Sequence, residues 1–353
     1  MVTRALSLFS GSLASRLATR VVERSPGVDE VYLLHFRSPF FEEYREIRDL
    51  VKGEWPGLVF RTQSLKKEYR HLACGQPEAG GFSLSRSCRA CRRILLGRAA
   101  RYMRRVGAQF LVTGEVVGQN GLFEDDLLAI VEELGIADLV LRPLSARLLR
   151  PTLPEREGWV ESSWLSDLTA AEPERLAALA LGLGFPADPR MDFAARCKLS
   201  IPGFGERLEG LLEETGVTMN ALKLLDFPLY FTRPPDVKIV LARTAGEKRA
   251  LQNLFLPNDL RVYLSTHPGP MALVRTAWDG KAQVETRDIV ELAARLTVAH
   301  SEASHLSSVQ VSYRLENDSE TSQLTVLLLP ASSREEVALV SPSHLPELRL
   351  ARP

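Results

Sequence analysis

The chain has 353 residues, 45% hydrophobic and 25% charged, the make-up of a folded globular protein with room for two domains. Lys and Arg together number 44 and Asp and Glu also number 44, so the formal net charge is zero and no global basic field marks the whole chain for nucleic acid. No apolar run is long enough to span a bilayer and the opening lacks a signal-peptide layout, so a cytoplasmic protein with no membrane partner is expected.

The first apolar run ends at Phe9. A small-residue turn, Ser10-Gly11-Ser12, follows, and then an amphipathic stretch with Leu13, Leu17, Val21 and Val22. This pattern predicts a strand delivering the chain to a helix N-terminus. Backbone N–H groups at such a junction, backed by the helix dipole, favour an anion. Ser10, Gly11, Ser12 and Ser15 are small enough to admit a phosphate, although a plain strand–turn–helix with a serine cap fits the same residues. Further strands are expected at 31–36 and 57–62, separated by a helix over 40–51. Strand–helix–strand units with short connections predict a parallel sheet, whose ligands gather at the carboxyl ends of the strands. His35 lies near one such end, as a nucleotide contact or a structural histidine.

After an irregular stretch over 68–90, with Gly75, Gly80 and Gly81, comes Cys88-Arg89-Ala90-Cys91-Arg92-Arg93, opening a helix to about Val106. Strands are predicted over 107–115 and 139–141, and Glu124, Asp125 and Asp126 form an acidic run that is a weak Mg²⁺ candidate. Residues 155–200 are expected to be helical, with an amphipathic helix over 206–215. Strands at 237–241, 260–264 and 271–275, a helix over 286–300 and strands at 309–314 and 324–329 complete an α+β unit. The predicted organisation is an α/β domain over 1–150, a helical extension over 151–215, an α+β domain over 216–340 and a tail over 341–353.

The chain has four cysteines, Cys74, Cys88, Cys91 and Cys197, too few and too scattered for a disulfide framework. Metal, cluster or redox chemistry competes with inert buried thiols. A helix N-terminus and the neighbouring Arg86, Arg89, Arg92 and Arg93 would favour thiolate at Cys88 and Cys91. A single CxxC does not complete a tetrahedral site, and adding Cys197 gives three thiols. The arginines from Arg86 to Arg105 read either as a path for a phosphate backbone or as a solvated helix face.

In order, the opening turn, Leu34-His35-Phe36-Arg37-Ser38-Pro39-Phe40-Phe41, Cys88-Arg89-Ala90-Cys91, Thr113-Gly114-Glu115-Val116-Val117-Gly118-Gln119 and Leu141-Arg142-Pro143-Leu144-Ser145 resemble the tRNA-thiolation proteins of the pyrophosphate-loop superfamily, over about residues 4–215. This resemblance implies a Rossmann-like N-terminal fold, a parallel sheet with helices on both faces. It implies ATP with Mg²⁺, bound through Ser10, Gly11, Ser12, Ser15, His35, Thr113 and Gly114. It further implies adenylation of an RNA uridine, tRNA foremost, and sulfur transfer through Cys88, Cys91 and Cys197. Those thiols would act alone or on a [4Fe–4S] cluster fed by a sulfur donor such as a cysteine desulfurase relay. Residues 237–243, 258–263, 268–275 and 293–296, with the strand from Val309, resemble the RNA-binding domain of NFACT proteins. Arg89, Arg92, Arg93, Arg243 and Arg275 are the expected RNA contacts.

The loop departs from the family pattern SGGxDS. Ser12 stands at the second glycine and Ala14 at the aspartate, and Ala195-Arg196-Cys197 replaces a Gly-Gly-Cys run. These changes fall on the chemistry and spare the fold. Three readings stay open: a sulfurtransferase with altered catalysis, a non-catalytic nucleotide- and RNA-binding paralogue, and a cysteine-based sulfur or iron–sulfur carrier.

Overall fold

Short buried strands alternate with amphipathic helices through the first half of the chain, and this alternation sets the architecture. The structure, a computed structural model, describes residues 2–41, 44–65, 82–185, 197–212 and 217–327. Cys74 with the glycines around it, Ala195, Arg196 and the tail over 341–353 lie outside the described residues. The chain divides into two units, Met1–Leu212 and Glu213–Pro353.

In the first unit the order is β1 (Arg4–Leu8), α1 (Leu13–Glu23), β2 (Glu30–Arg37), α2 (Tyr44–Glu54), β3 (Val59–Ser64), α3 (Leu84–Val106), β4 (Phe110–Val112), α4 (Glu124–Glu133) and β5 (Val140–Leu141). All four strand pairings are parallel, in the order β3-β2-β1-β4-β5. Successive strand residues point to opposite faces. Ala5, Val31, Leu33, Phe110 and Val112 therefore pack with Leu17 and Val21 of α1 and Ile47 and Val51 of α2. On the other face α3 lies against β1 and β4, burying Leu95, Leu96, Ala99 and Met103. This is a Rossmann-like sheet covered on both sides. The chain leaves β1 in one direction to β2 and returns on the other side to β4, so the carboxyl ends of β1 and β4 flank a crevice.

Three shorter helices follow: α5 (Leu153–Arg156), α6 (Pro173–Gly182) and α7 (Phe204–Leu212). Leu165, Leu168, Leu176, Ala180, Leu183 and Phe185 join the core of the first unit, so this extension is built into the α/β layer it follows. It is less helical than expected. Pro173 and Gly184 bracket α6, and hydrogen-bonded turns fill 157–172.

The second unit contains α8 (Met219–Leu224), β6 (Leu229–Arg233), β7 (Val237–Ala242), α9 (Ala245–Gln252), β8 (Leu260–Leu264), β9 (Met271–Arg275), α10 (Gln283–Ala299), β10 (Ser308–Leu315) and β11 (Ser322–Leu327). Its strands form an antiparallel sheet ordered β11-β10-β8-β9-β7-β6. Ile289, Leu292, Ala293 and Leu296 of α10 cover Ile239, Leu241, Val262, Val274 and Val311 on one face, giving this unit its own core.

Several elements differ from expectation: α3 starts at Leu84, capped by Ser83, inside the stretch expected to be irregular, and β4 is confined to Phe110–Val112 rather than 107–115. The third strand starts at Val59 because Leu58 N–H closes a turn onto the Trp55 carbonyl (3.2 Å) at the end of α2. The acidic run is the first turn of α4, where carboxylates complement the helix dipole and Asp126 accepts from the Phe123 N–H at 3.2 Å. Strand β6 is additional: its Tyr230 and Phe231 lie next to prolines at both ends of the segment, which masks the alternation.

Candidate functional site

The site grows from the junction of β1 and α1. After Phe9 the backbone must reverse, and Gly11 does so with φ +85°, a left-handed conformation that a side chain would strain. Ser12, by contrast, has φ −62° and ψ 156°, extended backbone open to any residue, so a serine there bends nothing. Ser12 is the N-cap of α1. Its hydroxyl accepts from the Ser15 N–H (3.3 Å) and lies 3.0 Å from the Ser10 hydroxyl, which lies 3.2 Å from that of Ser15. Three hydroxyls thus crowd the positive end of an 11-residue helix. From the other side of the crevice Gly114 presses on the same turn. A Cβ there would lie 2.5 Å from Ala14 C and Ser15 N, so only glycine permits this approach.

Between these walls opens a cleft whose mouth is open to solvent. Its polar end holds Ser10, Ser12, Ser15, Thr113, Gly114 and Gln119, and its apolar side Leu34, Phe36, Phe41, Leu95 and Leu96. His35 is 2% exposed and also lines it. His35 Nδ1 contacts the Phe9 carbonyl at 2.9 Å, and a carbonyl only accepts, so Nδ1 carries the proton. Burial, with a smaller contribution from the Arg37 charge, lowers the histidine pKa and keeps the ring neutral. Nε2 is then a bare acceptor, buried and without a hydrogen-bond partner.

Glu115 and its partners form the floor. Its carboxylate meets Arg142 Nε at 2.9 Å and Arg92 Nε at 2.7 Å and accepts from the Thr113 hydroxyl at 3.1 Å. Burial alone would raise the Glu115 pKa, but Arg142 and Arg92 pull it below the ordinary value. Sequence reasoning did not assign this network; the only signal was a carboxylate at a strand end and an arginine two residues after another strand's start. Ser145, from the fifth quoted motif, accepts from the Val117 N–H (3.1 Å) and donates to the Leu168 carbonyl (2.6 Å), a loop-holding role.

Cys88 and Cys91 lie on the buried face of α3, and the three described thiols influence one another's ionisation. The expected thiolate is not formed. Burial pushes the Cys91 thiol up to about 12, and the opposing pull of Arg92 does not overcome it. Burial likewise raises Cys88, against Arg92 and an Asn120 hydrogen bond, and Cys197. Arg89 and Arg93 do not reach the thiols at all: they pair with Asp126 and Glu133, each at 2.9 Å. Among the described residues no three His, Cys, Asp or Glu side chains are gathered to hold a metal ion, so the thiols as placed do not fit a cluster. Among the described residues Glu115 is the one carboxylate on the cavity lining, and it is already committed to two arginines, so the described lining does not fit a protein-held Mg²⁺ either.

The expected RNA contacts are dispersed. Arg92 is tied to Glu115, and Arg89 and Arg93 to α4. Arg275 spends its guanidinium inside its own unit, on Asp259 (2.6 and 2.9 Å), Asn220 (2.8 Å) and the Leu254 carbonyl (2.9 Å), because a buried carboxylate at Asp259 needs a bidentate partner. Arg243 is exposed, just before α9.

Residues 230–337 match the family described as the NFACT protein RNA binding domain, less than half of the chain. No curated protein matches the sequence. Among solved structures, the C-terminal part of the fibronectin/fibrinogen-binding protein from Streptococcus suis aligns at 13% identity and a TM-score of 0.25, over 36% of this chain and 63% of that one. A 4-thiouridine synthetase in complex with RNA and ATP aligns at 21% identity and a TM-score of 0.36, over 52% of this chain and 41% of that one. The chain thus spans less than two thirds of either solved chain.

Proposed function

We propose that the protein binds a nucleoside triphosphate, ATP foremost, in the crevice between β1 and β4, and engages RNA, with tRNA the leading candidate. The observation that carries the nucleotide is the buried, unpartnered Nε2 of His35 on the wall of the cavity that the N-terminus of α1 also enters. That atom asks for a donor such as a ribose hydroxyl or an exocyclic amine. The phosphates would meet the α1 N–H groups and the Ser10, Ser12 and Ser15 hydroxyls, and the base would lie against Leu34, Phe36, Leu95 and Leu96. The family match over residues 230–337 supports the RNA partner.

Isothermal calorimetry with ATP tests the first half. The unmodified protein is expected to bind in the micromolar range and His35→Ala about tenfold more weakly, the worth of one hydrogen bond to a buried acceptor. An absence of heat at millimolar ATP would overturn it.

Arg92, a residue of the cavity wall, interacts electrostatically with Cys88, Cys91 and Cys197, which favours a second reading in which the protein activates an RNA uridine and receives sulfur from a donor. In that reading Arg92 and Glu115 set the polarity at the cavity floor, and a thiol must become more exposed before it can act. Mass spectrometry of tRNA incubated with ATP, sulfide and anaerobically purified protein decides it. Unmodified uridine would leave the nucleotide- and RNA-binding reading standing alone.

A further inference from the structure

Helix α3 carries eight arginines and no carboxylate in 23 residues, within a chain of zero net charge. Six of these arginines fall into two sets. Toward the start, Arg89, Arg92 and Arg93 are each held by a carboxylate, from Asp126, Glu115 and Glu133. Toward the end, Arg98, Arg101, Tyr102 and Arg105 recur at the three- and four-residue spacing that stacks side chains along one helical face. With Gln63 of β3 they line a shallow surface hollow that contains no acidic residue. Arg61, two residues before Gln63, belongs to the same strand face, and Arg98 is anchored by donating to the Ser64 carbonyl at 3.2 Å. Arg101 and Arg105 are exposed and have no ion pair among the described residues.

We infer that this stripe of Arg98, Arg101 and Arg105 with Tyr102 and Gln63 is a second RNA-contacting surface, one that grips the phosphate backbone. It rests on the reading of RNA as a partner and moves the expected arginine contacts from the start of α3 to its end. From Arg98 to Arg105 the stripe runs about 10 Å. A stripe of that length can meet several successive phosphates of one strand. Guanidinium groups suit bidentate contact with phosphate, and Tyr102 offers an aromatic face on which an unpaired base stacks. An anionic membrane would call for exposed apolar side chains beside the charges; none of the large exposed hydrophobic residues belongs to this hollow.

The test uses the full chain, a fluorescein-labelled RNA hairpin and two double variants of equal charge loss, R101Q/R105Q on the stripe and R89Q/R93Q on the carboxylate-held set. The stripe variant is expected to bind about tenfold more weakly at ~150 mM salt, with the log–log salt slope smaller by about two, one for each lost phosphate contact. The other variant is expected to stay within about twofold of the unmodified protein. Equal weakening of the two variants, or unchanged binding by R101Q/R105Q, overturns the stripe while leaving RNA as a partner. An unmodified protein that fails to bind the hairpin overturns the RNA reading itself. Phosphatidylserine vesicles bound by the unmodified protein and lost with R101Q/R105Q, while hairpin binding persists, would assign the stripe to a membrane surface and overturn it for RNA.

Discussion

Glu115 is the residue on which the cavity floor depends. A buried carboxylate shared by two guanidinium groups is favourable only as a complete set, because either arginine without it is a buried charge lacking its counter-ion. Glu115→Gln keeps the shape and removes the charge, and is expected to cost about 3 kcal/mol in urea unfolding. Its pH signature follows from the lowered pKa. The ionised set stabilises the fold above the ordinary glutamate value, and that contribution fades as pH falls toward the folded-state value. The variant should therefore lose less stability than the unmodified protein as pH falls below the ordinary glutamate value. A variant as stable as the parent, with an identical acid limb, would show that Glu115 is not ionised in the fold. His35 adds a second acid-side slope, since burial lowers its pKa and the unfolded chain takes up its proton first. Stability linked to His35 is complete above the ordinary histidine value and falls below it, so the two slopes occupy different pH windows.

At the scale of elements, much of the site was legible because strand ends and helix starts have local signatures. The run to Phe9, the small-residue turn and the start of α1 were readable from residues 4–22, as was the CxxC helix. What was not legible depends on contacts distant in sequence. Arg142 is 27 residues from the Glu115 it pairs with, and the burial that holds Cys91 as a thiol comes from elements packed over α3. Nearby arginines in sequence predicted thiolate, whereas α4 and Glu115 claim those arginines in space.

The same junction shows which of its small residues matters most. Ser12 sits in extended backbone and caps the helix through its side chain, so Ser12→Gly should cost only a few tenths of a kcal/mol and Ser12→Ala about 1 kcal/mol. Gly114→Ala meets α1 backbone atoms at 2.5 Å, and neither wall can give without shifting the helix from the sheet. It should destabilise by about 2 kcal/mol, the range of overpacking, and weaken ATP binding far more than either Ser12 variant. Thermal melts and calorimetry on the three variants check this order. ATP binding that survives Gly114→Ala would place the nucleotide somewhere other than the α1 terminus.

For the whole molecule, the division at Leu212 and Glu213 separates two sheets of different construction, one parallel and one antiparallel, and no described strand pairing joins them. No helix among the described residues is long and apolar enough to cross a membrane. The second unit holds a continuous core between α10 and its six strands, and it contains ion pairs and hydrogen bonds of its own: Arg275 on Asp259 and Asn220, Lys281 on Asp236 (2.9 Å) and Glu285 (3.1 Å). A unit whose apolar surface and ion pairs close on themselves satisfies the requirements of an independently folding domain, and its length is within the usual range. A fragment of residues 213–353 is therefore expected to fold alone, giving one cooperative melt by circular dichroism. It should bind the RNA hairpin with a smaller salt slope than the full chain, because it lacks the α3 arginines. Two results would count against this account. A fragment without a cooperative melt would mean that the second core needs the first unit. A fragment that folds and matches the full chain in both affinity and salt slope would leave the arginine stripe no part in RNA binding.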